Sequence, residues 1–234
     1  MPIAMEDGFY QSHDIYPVSS LGIESARVPA CVQRVVEQRI LGVFGSPYHG
    51  YTGTDLDFLR EMPWVESVSF WDSPLTNIDG LYALKNLRFF ALSTKRPGVD
   101  FSRFPELRRA VVEYKTRDSG LETLRALALL HIWRYSPKDA TFSTLKLPES
   151  LTELQINWAN VASLETLPAL PNLRRLEVHQ CRHLVDLGML SEKFPLLEEV
   201  VVAACGRVTS AEGARAIQGL QALTRARISG AELV

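Results

Sequence analysis

The sequence predicts an α/β solenoid: about eight to nine short repeats, each adding one strand to a parallel sheet and returning through a 3-10 or extended segment, with few helices. Three observations carry that expectation. A pattern of the form L-x-x-L-x-L recurs at intervals of 20 to 26 residues, as Val65-Val68-Phe70, Leu87-Phe90-Leu92, Leu107-Ala110-Val112, Leu127-Leu130-Ile132, Leu151-Leu154-Ile156, Leu173-Leu176-Val178, Leu197-Val200-Val202 and Leu223-Ala226-Ile228. Repetition at one such period is the signature of a stacked-repeat architecture. Between these segments leucines fall every three residues, at Leu75, Ile78, Leu81, Leu84 and Leu87 and again at Leu164, Leu167, Leu170 and Leu173, a spacing that suits a three-per-turn coil better than an α-helix. Prolines at 63, 105, 148, 171 and 195 stand one to three residues ahead of strands, where a fixed φ and a missing N–H end the return segment.

Each element follows from its own residues. Residues 1–38 show no repeat, and Phe9, Tyr10, Ile15, Tyr16, Val18, Leu21 and Ile23 supply apolar groups to cover a first repeat, with a helix expected from Pro29 to Gln38. This segment reads as the N-terminal cap that a solenoid needs to shield its core cross-section. Residues 39–234 form the solenoid, in one domain. Its first, weaker strand is expected at Arg39 to Phe44, with Leu41 and Val43 inward. In the regular repeats the last two apolar positions are separated by one residue, so they share a face of a short strand while their neighbours point outward. In the fourth repeat the register Leu127-Leu130-Ile132 is preferred over Leu124-Leu127-Leu129, because it keeps His131 and Trp133 on the outward side. Near the end, Thr209 and Glu212 have capping-box spacing ahead of an apolar stripe, which predicts a helix over about 210–221. Only Gly230 to Val234 follow the last strand, so that edge is expected to be poorly covered and open to edge-mediated dimerisation.

Over roughly residues 60 to 234 the chain resembles the leucine-rich repeat family. The resemblance implies a right-handed superhelix with a parallel, concave sheet. In that family the pattern continues to an inward Asn or Cys that ties neighbouring turns together. Here the position is held by Ser73, Lys95, Lys115, Tyr135, Ala159, Cys181, Cys205 and Ala231, so only the tract from Leu173 to Val208 resembles the cysteine-containing type.

Composition narrows the function. Apolar residues make up 46% of the chain and charged residues 22%, with a net charge of −2; basic and acidic groups interleave, which disfavours nucleic acid, since phosphate binding wants a coherent positive stripe. The segment MPIAMEDGFYQSHD lacks secretory-signal features and no apolar run reaches the length of a membrane span, so a cytoplasmic location without membrane contact is expected. Three cysteines favour reduced thiols; Cys181 and Cys205 occupy equivalent places in adjacent repeats, as packed thiols or, alternatively, as a redox pair. A non-enzyme is expected, with no cofactor and no metal. The run His179-Gln180-Cys181-Arg182-His183 looks ligand-like, but alternation sends Cys181 inward and His179 outward. His13-Asp14 has no accompanying nucleophile motif.

Function is therefore sought on the outward positions. One row reads Ser67, Phe89, Arg109, Leu129, Glu153, Arg175, Glu199 and Arg225, whose second half alternates in sign as a self-satisfied charge ladder or a polar docking strip. Trp71, Phe89, Tyr114, Trp133 and Trp158 are expected outward, accompanied by Arg88, Arg109, Arg134 and His131, with Arg108 nearby. Clustered aromatics on a rigid sheet have the composition of an interface core, although rings can also pack on one another without a ligand. The resulting expectation is a noncatalytic, monomeric binding module for a protein partner; the alternative is an inhibitor or immunity-type protein that blocks a toxin or enzyme. The loop FGSPYHGYTGT from Phe44 to Thr54 is either a second site or a long connection within an irregular repeat.

Overall fold

A computed structural model describes residues 3–13, 15–93 and 95–234. The chain divides into two compact units, residues 1–112 with 116–119, and residues 113–115 with 120–234. Asp14 of the His13-Asp14 pair lies outside the described residues.

In the first unit, β1 (Ala4–Glu6) and β2 (Phe9–Ser12) form an antiparallel hairpin, and β2 continues antiparallel to β3 (Ser20–Gly22). From β3 onward the direction is constant. Helix α1 (Val28–Gln38) returns the chain to β4 (Gly42–Gly45), which pairs in parallel with β3, and β5 (Ser67–Phe70), β6 (Phe89–Leu92) and β7 (Arg109–Glu113) follow in parallel order. Pro29 is the second residue of the helix, tolerated in the first turn because an N–H there would have no intrahelical partner, and the helix buries Cys31, Val32 and Val35.

The expectation that residues 1–38 hold no repeat is thereby amended. Strand β3 lies in parallel register with β4, and Leu21 and Ile23 are fully buried. Val18, Leu21 and Ile23 thus have the same one-in-three, one-in-two spacing as later repeats. An inserted helix in place of a short turn hides the periodicity. The first-strand expectation also needs correction: Val43 is buried, but Leu41 is 38% exposed. The inward position two residues after Val43 is Gly45, opposite Phe70; a Cβ there would lie 2.5 Å from the Phe70 ring, so the ring fills the space a side chain would have used.

In the second unit β8 (Leu129–Trp133), β9 (Glu153–Asn157), β10 (Arg175–His179), β11 (Glu199–Ala203) and β12 (Arg225–Ile228) pair in parallel. Two short helices occur in its returns, α2 (Leu190–Lys193) and α3 (Ser210–Ala216). Helix α3 ends earlier than expected. The Thr209 hydroxyl accepts from the Glu212 N–H at 3.1 Å, but the Glu212 carboxylate accepts from the Leu187 N–H and Arg215 instead of closing the box. The chain then turns at Ser229-Gly230 into β13 (Ala231–Glu232), antiparallel to β12. The Leu233 N–H donates to Ala226 O at 2.8 Å, so β12 is covered, contrary to the open edge expected.

Register follows the pattern closely. The three pattern positions of each of the first seven L-x-x-L-x-L segments are at most 1% exposed, as are Ala226 and Ile228. Only Leu223 of the eighth is half-buried. Return segments are 3-10 turns at Asp57–Glu61, Asp79–Ala83, Phe101–Arg103 and Leu121–Thr123, as the three-residue leucine spacing allows, whereas the run from Leu164 to Leu173 passes through turns and extended backbone.

The turns after the strands are held by varied groups rather than an asparagine ladder. In the first unit Lys95 is exposed, and the adjacent Arg96 is buried instead, forming a two-pronged ion pair with Asp118 at 2.6 and 2.7 Å. The same carboxylate accepts from the Val99 N–H at 3.0 Å. In the second unit the Cys181 thiol donates to His179 O and the Cys205 thiol to Ala203 O. Both thiols are free and buried. Hydrogen bonding with Cys205 and then burial push the Cys181 thiol upward, which keeps it protonated. Among the described residues, no helix is long and apolar enough to cross a membrane.

Candidate functional site

Parallel pairing places the outward residues of the second unit in three rows. The first is Leu129, Glu153, Arg175, Glu199 and Arg225; the second is His131, Gln155, Glu177, Val201 and Arg227; the third is Trp133, Asn157, His179 and Ala203. The first row is a partial charge ladder: Glu199 meets Arg225 at 2.9 Å and Arg175 at 3.5 Å. Arg175 also donates to Glu177 at 2.7 Å, and His179 Nε2 lies 2.9 Å from Glu177. Burial pushes the Glu177 carboxyl upward, but hydrogen bonds from His179 and Arg175 outweigh it and hold the group below its ordinary value.

A shallow cavity of about 310 Å³ opens beside this network, lined by His131, Gln155, Glu153, Arg175 and Glu177 with Leu129 and Leu154. Burial lowers the pKa of His131, opposed by the nearby Glu177 and Glu153 carboxylates. The histidine is therefore poised toward its neutral form. The register that leaves His131 and Trp133 on the outward side is the one adopted.

The aromatic residues do not all occupy strand rows. Trp133 does, but Tyr114, Arg134 and Trp158 occupy the position just after a strand, where each N–H donates to a carbonyl of the next strand in line: Tyr114 to Trp133 O, Arg134 to Asn157 O, Trp158 to His179 O. At Arg134 and Trp158 the backbone turns left-handed, with φ of 55° and 52°, as it does after β10 at Gln180, with φ of 60°. Trp158 is 44% exposed and stacks at a tilt on Trp133, ring centroids 4.8 Å apart. Tyr114 makes an edge contact with Tyr135, itself buried on Phe142. Arg134 reaches Glu113 at 3.7 Å, and Lys115 meets the same carboxylate at 2.9 Å.

In the first unit the outward face differs from expectation because the chain partly covers it. Phe44 points outward on β4 yet is only 1% exposed, lying between Tyr16 at 5.3 Å and His49 at 5.6 Å. Tyr16 extends to Phe89, 6.1 Å away. Phe89 and Trp71 are half-buried, while Arg88 and Arg109 are exposed and Arg88 pairs with Glu66 at 3.1 Å. Tyr16 thus sits on the sheet face instead of over the end of the repeat stack, and Ile15 is left 54% exposed. Phe44 was accessible to sequence reasoning, since it follows inward Val43. Tyr16 was not, because nothing local says where an irregular segment crosses.

The other candidates separate. The loop 44–54 is largely structural: Tyr51 is 1% exposed against Phe70, and His49 bonds Ser46 and packs on Tyr10, leaving Tyr48 84% exposed. Cys181 is buried, His183 is exposed and His179 faces outward with Glu177. Among the described residues, no group of three His, Cys, Asp or Glu side chains is placed to hold a metal.

One strand per repeat and parallel pairing give each unit the solenoid architecture that the resemblance to leucine-rich repeats implies. No family model and no curated protein matches the chain. Among solved structures, an internalin (inlF) from Listeria monocytogenes str. 4b F2365 is similar over 88% of this chain and 71% of that one, with 13% sequence identity and a TM-score of 0.42.

Proposed function

We propose that the protein is a noncatalytic binding module that takes a protein partner on its outward sheet faces, with the Trp133–Trp158 pair as principal anchor. The observation that carries this reading is Trp158. A non-glycine residue in a left-handed backbone costs about 1–2 kcal/mol, and glycine would remove that cost; instead the chain holds an indole there, 44% exposed and backed by Trp133. Large, rigid, amphipathic rings of this kind dominate binding energy where they become desolvated against a partner. The repeat scaffold fixes them before binding, so little ordering entropy is spent on association. Arg134, His131 and Tyr114 flank the pair in this unit. Trp71, Phe89, Arg88 and Arg109 offer a further surface on the first. The reading involves no reaction and no cofactor.

The test is affinity capture from native lysate with wild type and with a Trp133→Ala, Trp158→Ala double variant of matched circular dichroism and melting temperature. A partner retained by wild type and lost by the variant is the expected result. Equal capture by both would remove this anchor from the interface.

A further inference from the structure

The first unit has a cavity of about 230 Å³ on its outward face, with Pro17, Val18 and Phe89 as apolar lining and Arg88, Arg108, Arg109 and Glu66 as charged lining. Its charges do not balance. Arg88 pairs with Glu66 at 3.1 Å, but among the described residues neither Arg108 nor Arg109 meets a carboxylate within ion-pair distance. The Arg108 and Arg109 N–H groups both donate to Arg88 O at 3.0 Å, and Arg109 is registered beside Phe89. Three guanidinium-bearing residues are therefore concentrated on two adjacent strands, which lie about 4.8 Å apart. Like charges set side by side on a sheet destabilise it. Such an arrangement costs the free protein stability and gains from an anionic occupant.

We propose that this cavity receives an acidic segment of the protein partner, with a Glu or Asp carboxylate held between Arg108 and Arg109 and a neighbouring apolar side chain on Phe89, Val18 and Pro17. Arginine suits this because its planar fork donates two parallel hydrogen bonds to a carboxylate. The apolar lining selects a carboxylate with an apolar neighbour over a free anion. Pro17 and Val18 come from the same irregular segment as Tyr16, so that segment forms one wall. The inference rests on the protein-binding reading above but not on its Trp133–Trp158 anchor, and it can fail separately.

The experiment titrates the intact chain calorimetrically with two probes, the amidated and acetylated peptides of sequence LEELE and LQQLQ. The acidic peptide is expected to bind at least about tenfold more tightly than the amide peptide, since hydrogen bonds to charged groups are worth roughly this much, and to weaken as salt is raised. An Arg108→Gln, Arg109→Gln double variant should lose about tenfold or more in affinity for LEELE while melting no lower than wild type, an outcome that a structural role for the arginines would not give. Should that variant fail to fold, Glu66→Gln serves instead: it frees Arg88 and should tighten the acidic peptide several-fold. The Trp133→Ala, Trp158→Ala variant should bind LEELE like wild type, which separates this site from the aromatic anchor. Equal affinity for the two peptides, unchanged affinity in the arginine or Glu66 variants, or full displacement of LEELE by an equal concentration of inorganic phosphate would overturn the proposal.

Discussion

Trp158 sets two energies of similar size against each other. Its left-handed backbone costs about 1–2 kcal/mol, whereas an aromatic pair such as Trp133–Trp158 returns about 0.5–1.5 kcal/mol beyond its buried area. Replacing Trp158 with glycine should therefore change unfolding free energy by no more than about 1 kcal/mol, measured by urea denaturation, while abolishing partner capture. A loss well beyond that would make the ring a structural element. Asp118 is the opposite case. Its carboxylate neutralises the buried Arg96 and accepts the Val99 N–H, so Asp118→Ala leaves a buried charge without its partner and should cost about 3–5 kcal/mol. Replacing Arg96 and Asp118 together with apolar residues should cost less than the single change, and a double-mutant cycle by chemical denaturation reads the difference. Sequence reasoning placed Lys95 at the inward turn position; the buried group is Arg96, because a long guanidinium can reach a carboxylate some 22 residues away in sequence and a local spacing rule does not contain that distance.

At the scale of the strand, the L-x-x-L-x-L segments were legible because their constraint is local. Alternation within a strand and a core on one side leave few registers open, and a one-residue slip would expose every leucine. Leu154 and Leu176, registered on adjacent strands and at most 1% exposed, should each cost about 2–5 kcal/mol on replacement by alanine, read as a shift in denaturation midpoint at constant slope. A cost below about 0.5 kcal/mol at both positions would contradict the packing, since even surface changes reach that size. Strand β3 escaped notice although Val18, Leu21 and Ile23 carry the spacing, because an 11-residue helix separates it from β4 and because a single irregular interval does not stand out from chance.

Across the molecule, each unit carries a half-buried histidine on its outward side, His49 in the first and His131 in the second. Burial lowers both pKa values. In the unfolded chain these groups titrate near the ordinary value of about 6.5. As pH falls through that value the unfolded state takes up protons before the folded state does, so stability is fully present above it and is lost toward the lowered folded values. A His49→Asn, His131→Gln double variant is expected to show a flatter dependence of unfolding free energy over about pH 7 to 5 than wild type. Parallel curves would show that the two rings are protonated alike in both states. The Glu177 carboxyl, held low by His179 and Arg175, contributes in the same direction at more acidic pH.

The sequence by itself determined the repeat, its register over seven of eight segments, the short returns with their buried three-residue leucine spacing and the outward placement of Trp133 and His131, because each depends on spacing within about one repeat. The tertiary structure alone decided what lies over those positions. Tyr16 crosses onto Phe44 and Phe89, β13 folds back over β12, and Trp158 leaves the strand at a left-handed turn to stack on Trp133. These arrangements join residues through irregular backbone, where direction is set by packing between distant segments and leaves no periodic trace in the chain.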